Sequence, residues 1–263
     1  MPAGRLPSDA RCAGTLLVAA VVAICNLTGA VAAETVRVLA AGAAQGAMHR
    51  LEPAIAAATG RKLDAAFDTV GALRDRVLAG DKADVVILSE LGMAALETAG
   101  KIAPGTTVDL GHIEVAMAVR KGGLVPDIAS PEALKQVLLS AKSIAHADPA
   151  RGATAGAHFA RVLEQLGIAG DVKARVTVLA FGGDVIEGIA QGRFEIGVSQ
   201  SSEIVAHPGV TLAGRLPSPY GHRTRYLAAK PIGAGPQADA LLKFLQGSAA
   251  RSAFAAIGFG ATP

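Results

Sequence analysis

The chain of 263 residues contains no tryptophan, two tyrosines and seven phenylalanines. Its 25 basic and 22 acidic side chains give a formal net charge of +3, scattered along the sequence. A nucleic-acid partner would need Lys and Arg gathered on one face, so none is expected. Cysteine occurs twice, as Cys12 and Cys25. Both fall in an N-terminal segment where Arg5 and Arg11 precede an apolar run over 13–25, with small residues at Ala30 and Ala32. That pattern reads as a secretory signal over residues 1–33, so a periplasmic location is expected. Asn26, Thr28 and Gly29 interrupt the run before it reaches the roughly 20 apolar residues of a membrane span. With the signal removed, no cysteine remains for a disulfide, a thiolate nucleophile or a zinc site. The six histidines show no H-x-x-x-H or H-E-x-x-H spacing, so neither metal nor cofactor is expected.

Short apolar runs alternate with helical patterns through nearly the whole remainder. "TVRVLAA", "KLDAAFD", "ADVVILSE", "HIEVAMAVRKG", "KSIAHADPA", "VTVLAFGG", "EIGVSQSSE" and "RTRYLAAKP" read as strands. The segments between them read as helices, with Ser130 as an N-cap before Pro131. In "TAGAHFARVLEQLG", Phe159, Val162, Leu163 and Leu166 share one face. Leu73, Val77 and Leu78 share a face of the helix after "FDTV". Alternation of this kind predicts an α/β fold, with mixed, mainly parallel sheets flanked by helices. No flexible linker is visible, so two lobes joined by crossing strands are expected. The boundaries are 34–114 and 223–263 for one lobe and 115–222 for the other.

Four strand-to-helix turns are built from small residues: 41–46, 68–72, 148–156 and 181–185. Each puts close-approaching backbone N–H groups and the positive end of a helix dipole at a strand's C-terminal edge, a setting for a bound anion. The cluster Ser199-Gln200-Ser201-Ser202 adds uncharged hydrogen-bonding groups, with capping by Ser201 or Ser202 the plainer alternative. Asp148 and Asp184 read as caps or loop fasteners, and Glu187, Arg193 and Glu203 as solvated charge. Hydrolase chemistry at Thr154 with His158 has no supporting G-x-S-x-G turn.

In layout the mature chain resembles the type II periplasmic solute-binding proteins of ABC importers, in their molybdate-binding-protein-like group. The resemblance runs through "VLAAGAAQGAM", "ATGRKLDAAFDTVGALRDRVLAGDKADVVILSE", "HADPARGATAGAHFARVLEQLGI", "AQGRFEIGVSQSSEI" and "LLKFLQGSAARSAFAAIGF". It implies a closing interlobe cleft, a membrane permease as partner, a monomer and no catalysis. The family's two oxyanion-holding serines fall at Ala43 and Val70, with Thr69 next door, its backbone donors at Ala155 and Val185, and its tyrosine at Gln200. Two or three lost hydrogen bonds, each worth about 1.5–3 kcal/mol to a charged partner, argue against molybdate. The resulting expectation is a small anion, an organic carboxylate, held by Gly42, Ala43, Ala44, Thr69, Val70, Gly71 and Arg74. Thr154, Ala155, Gly156, Val185, Ser199, Gln200 and Ser201 would close on it from the other side. Arg76, Arg151, Arg223 and Arg225 are further candidate cations. An inorganic oxyanion and a sensory rather than transport role stay open as alternatives.

Overall fold

The structure, a computed structural model, describes residues 34–261. The signal segment read over 1–33 lies outside them. The first half alternates without interruption through β1 (Thr35–Ala41), α1 (Gln45–Thr59), β2 (Lys62–Asp68), α2 (Val70–Leu78), β3 (Val85–Ser89) and α3 (Glu90–Thr98). A 13-residue strand, β4 (Val108–Arg120), then leads to α4 (Pro131–Ser140), β5 (Ile144–Ala147), α5 (Thr154–Gln165) and the short α6 (Ala169–Val172). Next come β6 (Val176–Leu179), α7 (Gly182–Ala190), β7 (Ile196–Gln200), α8 (Ser201–Ala206) and β8 (Val210–Arg215). The chain returns through β9 (Arg223–Ala229) to α9 (Pro236–Leu245) and α10 (Ser248–Ala255).

Strand order is β2-β1-β3-β9-β4-β7-β5-β6, with β8 also on β4. The β1–β2, β1–β3, β5–β6 and β5–β7 pairs are parallel, as their helical crossovers require. The pairs made by β4 and β9 are antiparallel. Strand β4 joins the halves: residues 108–114 pair with β9, and residues 115–120 pair with β7 and β8. Each half fills with its own apolar core. Leu39, Met48, Ile55, Leu73 and Ile87 are fully buried in one, and Leu134, Phe159, Val162 and Val172 in the other.

Local chemistry places the helix starts. Thr69, Ser89 and Ser130 each accept a bond from the third residue onward, at Ala72, Gly92 and Ala133. Asp148 fastens its loop through the Ala150 N–H at 2.8 Å, as expected. Asp184 instead lies inside the first turn of α7, after Phe181 as N-cap residue. For α8 the N-cap residue is Gln200, so neither Ser201 nor Ser202 takes that place. Leu78 ends its helix 39% exposed, off the apolar face assigned to it. Strand β8 was not foreseen, since "VTLAGR" alternates weakly and has an exposed outer face.

Candidate functional site

Where the two halves of the sheet present the ends of β1, β2, β5 and β7 to each other, they enclose a small cavity of about 30 Å³. That is room for a water molecule or two, or for one carboxylate group. Gly42 and Ala43 approach from the 3₁₀ turn after β1, and Asp68, Thr69 and Val70 from the start of α2. Opposite them stand Ala153, Thr154 and Ala155 at the start of α5, and Phe181 and Gly182 at the start of α7. Ser199, Gln200, Glu203 and Tyr226 complete the wall. Three of these turns, at Gly42, Thr154 and Gly182, begin with no side chain capping them. First-turn N–H groups and the positive ends of their dipoles therefore face the cavity rather than a side-chain oxygen.

Eight of the fourteen residues expected at a ligand are thus brought together: Gly42, Ala43, Thr69, Val70, Thr154, Ala155, Ser199 and Gln200. The other six lie outside its lining. Ala44 and Val185 are fully buried in the cores. Gly156 packs so tightly on β5 that a Cβ there would sit 1.8 Å from the Ala147 carbonyl oxygen. Ser201 is buried beside the wall, and Gly71 and Arg74 line a neighbouring, wider chamber.

The halves touch directly here. Gly71 donates its N–H to the Gly152 carbonyl at 3.3 Å, and the Thr69 hydroxyl donates to the Arg151 carbonyl at 2.5 Å. Arg151 does not enter the cavity as a free cation. It pairs with Asp68 at 3.0 Å and donates to the Ala180 carbonyl at 3.1 Å. Arg76 is likewise engaged, on Asp81 at 2.7 Å. Among the described residues no Lys or Arg lines the cavity.

Glu203 corrects its reading as solvated charge. Its residue is partly buried, and its carboxylate sits inside the wall. The Ser199 hydroxyl donates to Oε2, as does the Gln200 N–H at 3.3 Å. On the other side, Oε1 stands so close that a Cβ at Gly42 or Gly182 would lie 2.5 Å from it. Gly42 is therefore small first because Glu203 and the Phe181 ring occupy the space its side chain would need. Burial pushes the Glu203 pKa up, against the opposing hydrogen bonds from Ser199 and Gln200.

Tyr226 was also missed. It is 2% exposed on β9, within hydrogen-bonding reach of Thr154. Burial and the neighbouring Glu203 push its pKa well above the ordinary phenol value, so it remains a protonated donor. Gln200 Nε2 lies 3.3 Å from the Tyr226 hydroxyl and 3.5 Å from the Thr224 hydroxyl, while Gln200 Oε1 has no partner. Exchanging the amide O and N would let the oxygen accept from Tyr226. The only sequence trace of Tyr226 is that it is one of two tyrosines, set within an apolar strand. Glu203 left a clearer one, three residues into a helix that follows a buried strand.

His158 faces away from this wall. Its ring stacks on His222 with centroids 4.6 Å apart, and Nε2 donates to the Tyr220 carbonyl at 2.7 Å. No Thr154–His158 nucleophile pair forms.

Residues 36–260 match the family model described as bacterial extracellular solute-binding protein. An aconitate isomerase from Pseudomonas sp. is 34% identical over 261 residues, covering 96% of this chain and 94% of that protein. Among solved structures, the Azotobacter vinelandii periplasmic molybdate-binding protein superposes with a TM-score of 0.74. It shares 19% identity, covering 87% of this chain and 100% of that one. The sulfate-binding protein from Mycobacterium tuberculosis gives 0.66 at 20% identity, covering 86% of each chain. At such identities these structures establish the fold and bear out the molybdate-binding-protein-like resemblance. The expectation of a chain without catalysis is overturned by the isomerase: a protein similar over nearly its whole length is named for a reaction, so this scaffold does not exclude one. Fold, sheet order and full-length match agree, and the chain belongs to the bacterial extracellular solute-binding proteins.

Proposed function

We propose that this protein binds a small unsaturated polycarboxylate between its two halves and isomerises it by moving one proton. The observation that carries the reading is the desolvated carboxyl of Glu203, set in the cavity wall among uncapped helix N-termini. The 34% identity to an aconitate isomerase supports the substrate class. Aconitate is a three-carbon alkene bearing three carboxylates, and its isomers interconvert when one terminal carbon loses a proton and the other gains one.

In this reading the Glu203 carboxylate takes a proton from the saturated terminal carbon. The electron pair left behind forms the new double bond as the old one shifts its electrons outward, and the charge spreads onto the adjoining carboxylate. Helix N-termini at Gly42, Thr154 and Gly182 stabilise that charge, and the Tyr226 hydroxyl donates a hydrogen bond. The proton then returns from the Glu203 carboxyl to the other terminal carbon. Rotation in the delocalised intermediate selects the isomer. Burial is what makes a carboxylate basic enough for the first step and a carboxyl mild enough to survive until the second.

Residues 34–114 with 223–263 and residues 115–222 act here as lobes that open to admit the ligand. Export by the 1–33 signal would put the protein, a monomer, in the periplasm, where the same cleft could hand an anion to a permease. The test follows trans-aconitate by proton NMR with wild type and Glu203→Gln. The variant loses about 10²- to 10⁴-fold in rate, the usual worth of general acid–base catalysis, and binds saturated tricarballylate within threefold of wild type. A wild type that leaves trans-aconitate unchanged, or a variant that turns it over normally, refutes the reading.

A further inference from the structure

The small inner cavity poses a charge problem. It has room for one carboxylate and contains no cation, yet a tricarboxylate brings three negative charges. Beside it, sharing Val70, Ala153 and Thr154 as walls, lies a larger chamber of about 420 Å³. Arg74, Arg161, Arg223 and Arg225 line that chamber, against one acidic residue, Glu90. The four cations differ in how far they are engaged. Arg225 is held by Asp109 at 2.9 Å, and Arg223 approaches Glu114 at 3.8 Å. Arg74 pairs with its exposed sequence neighbour Asp75 at 2.7 Å. Arg161, on the outward side of α5, makes no hydrogen bond or ion pair among the described residues. It stands by the stacked His158 and His222 rings, and its charge acts on both.

We infer that this chamber is the outer half of the ligand site, where Arg161, with Arg74, holds the carboxylates that the inner cavity leaves outside. The inference rests on the polycarboxylate reading above and deepens it. One carboxylate enters the N–H-lined cavity beside Thr154, and the remainder of the molecule extends past the same residue into the chamber. A planar guanidinium can grip a carboxylate through two parallel N–H···O bonds. Arg161 is available for this without breaking an existing pair. The arrangement selects for charge number: a monocarboxylate fills the inner cavity and gains nothing from the arginines, whereas a di- or tricarboxylate engages both.

The experiment is titration calorimetry of full mature protein with tricarballylate, which has no double bond to isomerise. It compares wild type, Arg161→Gln, the double variant Arg74→Gln/Arg161→Gln, and Arg251→Gln on α10 as control. Arg161→Gln raises Kd about tenfold and the double variant further, the scale of one and then two charge-assisted bonds. The dependence of Kd on salt shallows in the same order, and Arg251→Gln stays within twofold of wild type. Arg161→Lys recovers part of the affinity at low salt, since it restores the charge without the fork. Thermal midpoints should stay near wild type, because Arg161 is exposed and without bonds and the exposed Arg74–Asp75 pair is worth under about 1 kcal/mol, so weaker binding is not misfolding. Wild-type binding with an unchanged double variant overturns the chamber alone. Absence of binding to wild type overturns the polycarboxylate reading and the chamber with it.

Discussion

If burial raises the pKa of Glu203, the protein must lose stability as pH rises through the window above that group's ordinary value of 4.5. The sign follows from proton counting. Between 4.5 and the raised folded value, the native state keeps the Glu203 proton and the unfolded chain has released it. The native state thus binds more protons, and the slope of unfolding free energy with pH is negative. At its steepest the slope is about 1.4 kcal/mol per pH unit. For a chain of this size that corresponds to a fall of roughly 3–6 °C in Tm per unit. Glu203→Gln removes the titration while its amide oxygen still accepts from Ser199 and the Gln200 N–H, so the variant lacks this decline. Three histidines act in the opposite sense. Burial lowers the pKa of His146, His158 and His222, so between their lowered values and 6.5 the unfolded chain binds more protons, and stability there rises with pH. Those contributions are common to both proteins and cancel in the difference. The assay is Tm by far-UV circular dichroism from about pH 4 to pH 8, plotted as wild type minus variant. A difference that falls steadily above 4.5 supports the desolvated carboxyl. Parallel curves refute it, and with it the acid–base role, since a carboxylate titrating as it does in water has no burial to make it basic.

Other consequences can be measured separately. Gly42→Ala places a methyl group 2.5 Å from Glu203 Oε1 and 2.7 Å from the Phe181 ring, so it costs about 1–3 kcal/mol in urea unfolding and weakens tricarballylate binding. Phe159→Ala empties a fully buried ring position against β5 and costs about 3–5 kcal/mol, read as a lower urea midpoint. Asp68→Asn frees Arg151 but removes a part-exposed pair, so stability changes by under about 1 kcal/mol. Its signature is instead faster hydrogen exchange at Gly71, whose N–H bonds across the halves to Gly152. The His158→Gln/His222→Gln double variant loses part of the acid-side stability decline below 6.5, visible in the same Tm titration.

Much of the fold could be read in the chain because its determinants are local. Apolar runs of strand length, Thr69 and Ser130 as caps, and Phe159, Val162 and Leu163 at helical spacing need only near neighbours to express themselves. Leu78 and β8 escaped where the local pattern was weakest, at a helix end and on a strand with an exposed face. The small-residue turns were legible as strand-to-helix junctions, and they do gather at one cavity. Their stated purpose was only partly right, since Gly42 yields its space to Glu203 and Phe181 before any ligand.

What the sequence by itself determined, then, is the order of the strands and helices other than β8, most of their boundaries within a few residues, and the family, because periodicity and capping are properties of neighbouring residues. Tertiary structure alone decided which charges are spent and which are free. Arg151 is neutralised by Asp68, 83 positions away, while Arg161 has no ion-pair partner among the described residues and stands beside the stacked histidines. Glu203, one carboxylate among many in the sequence, gains its shifted pKa from burial, with Gly42 and Gly182 packed close to its Oε1. A charge's chemistry depends on its dielectric surroundings and its partners in space, and those are assembled only when distant segments pack.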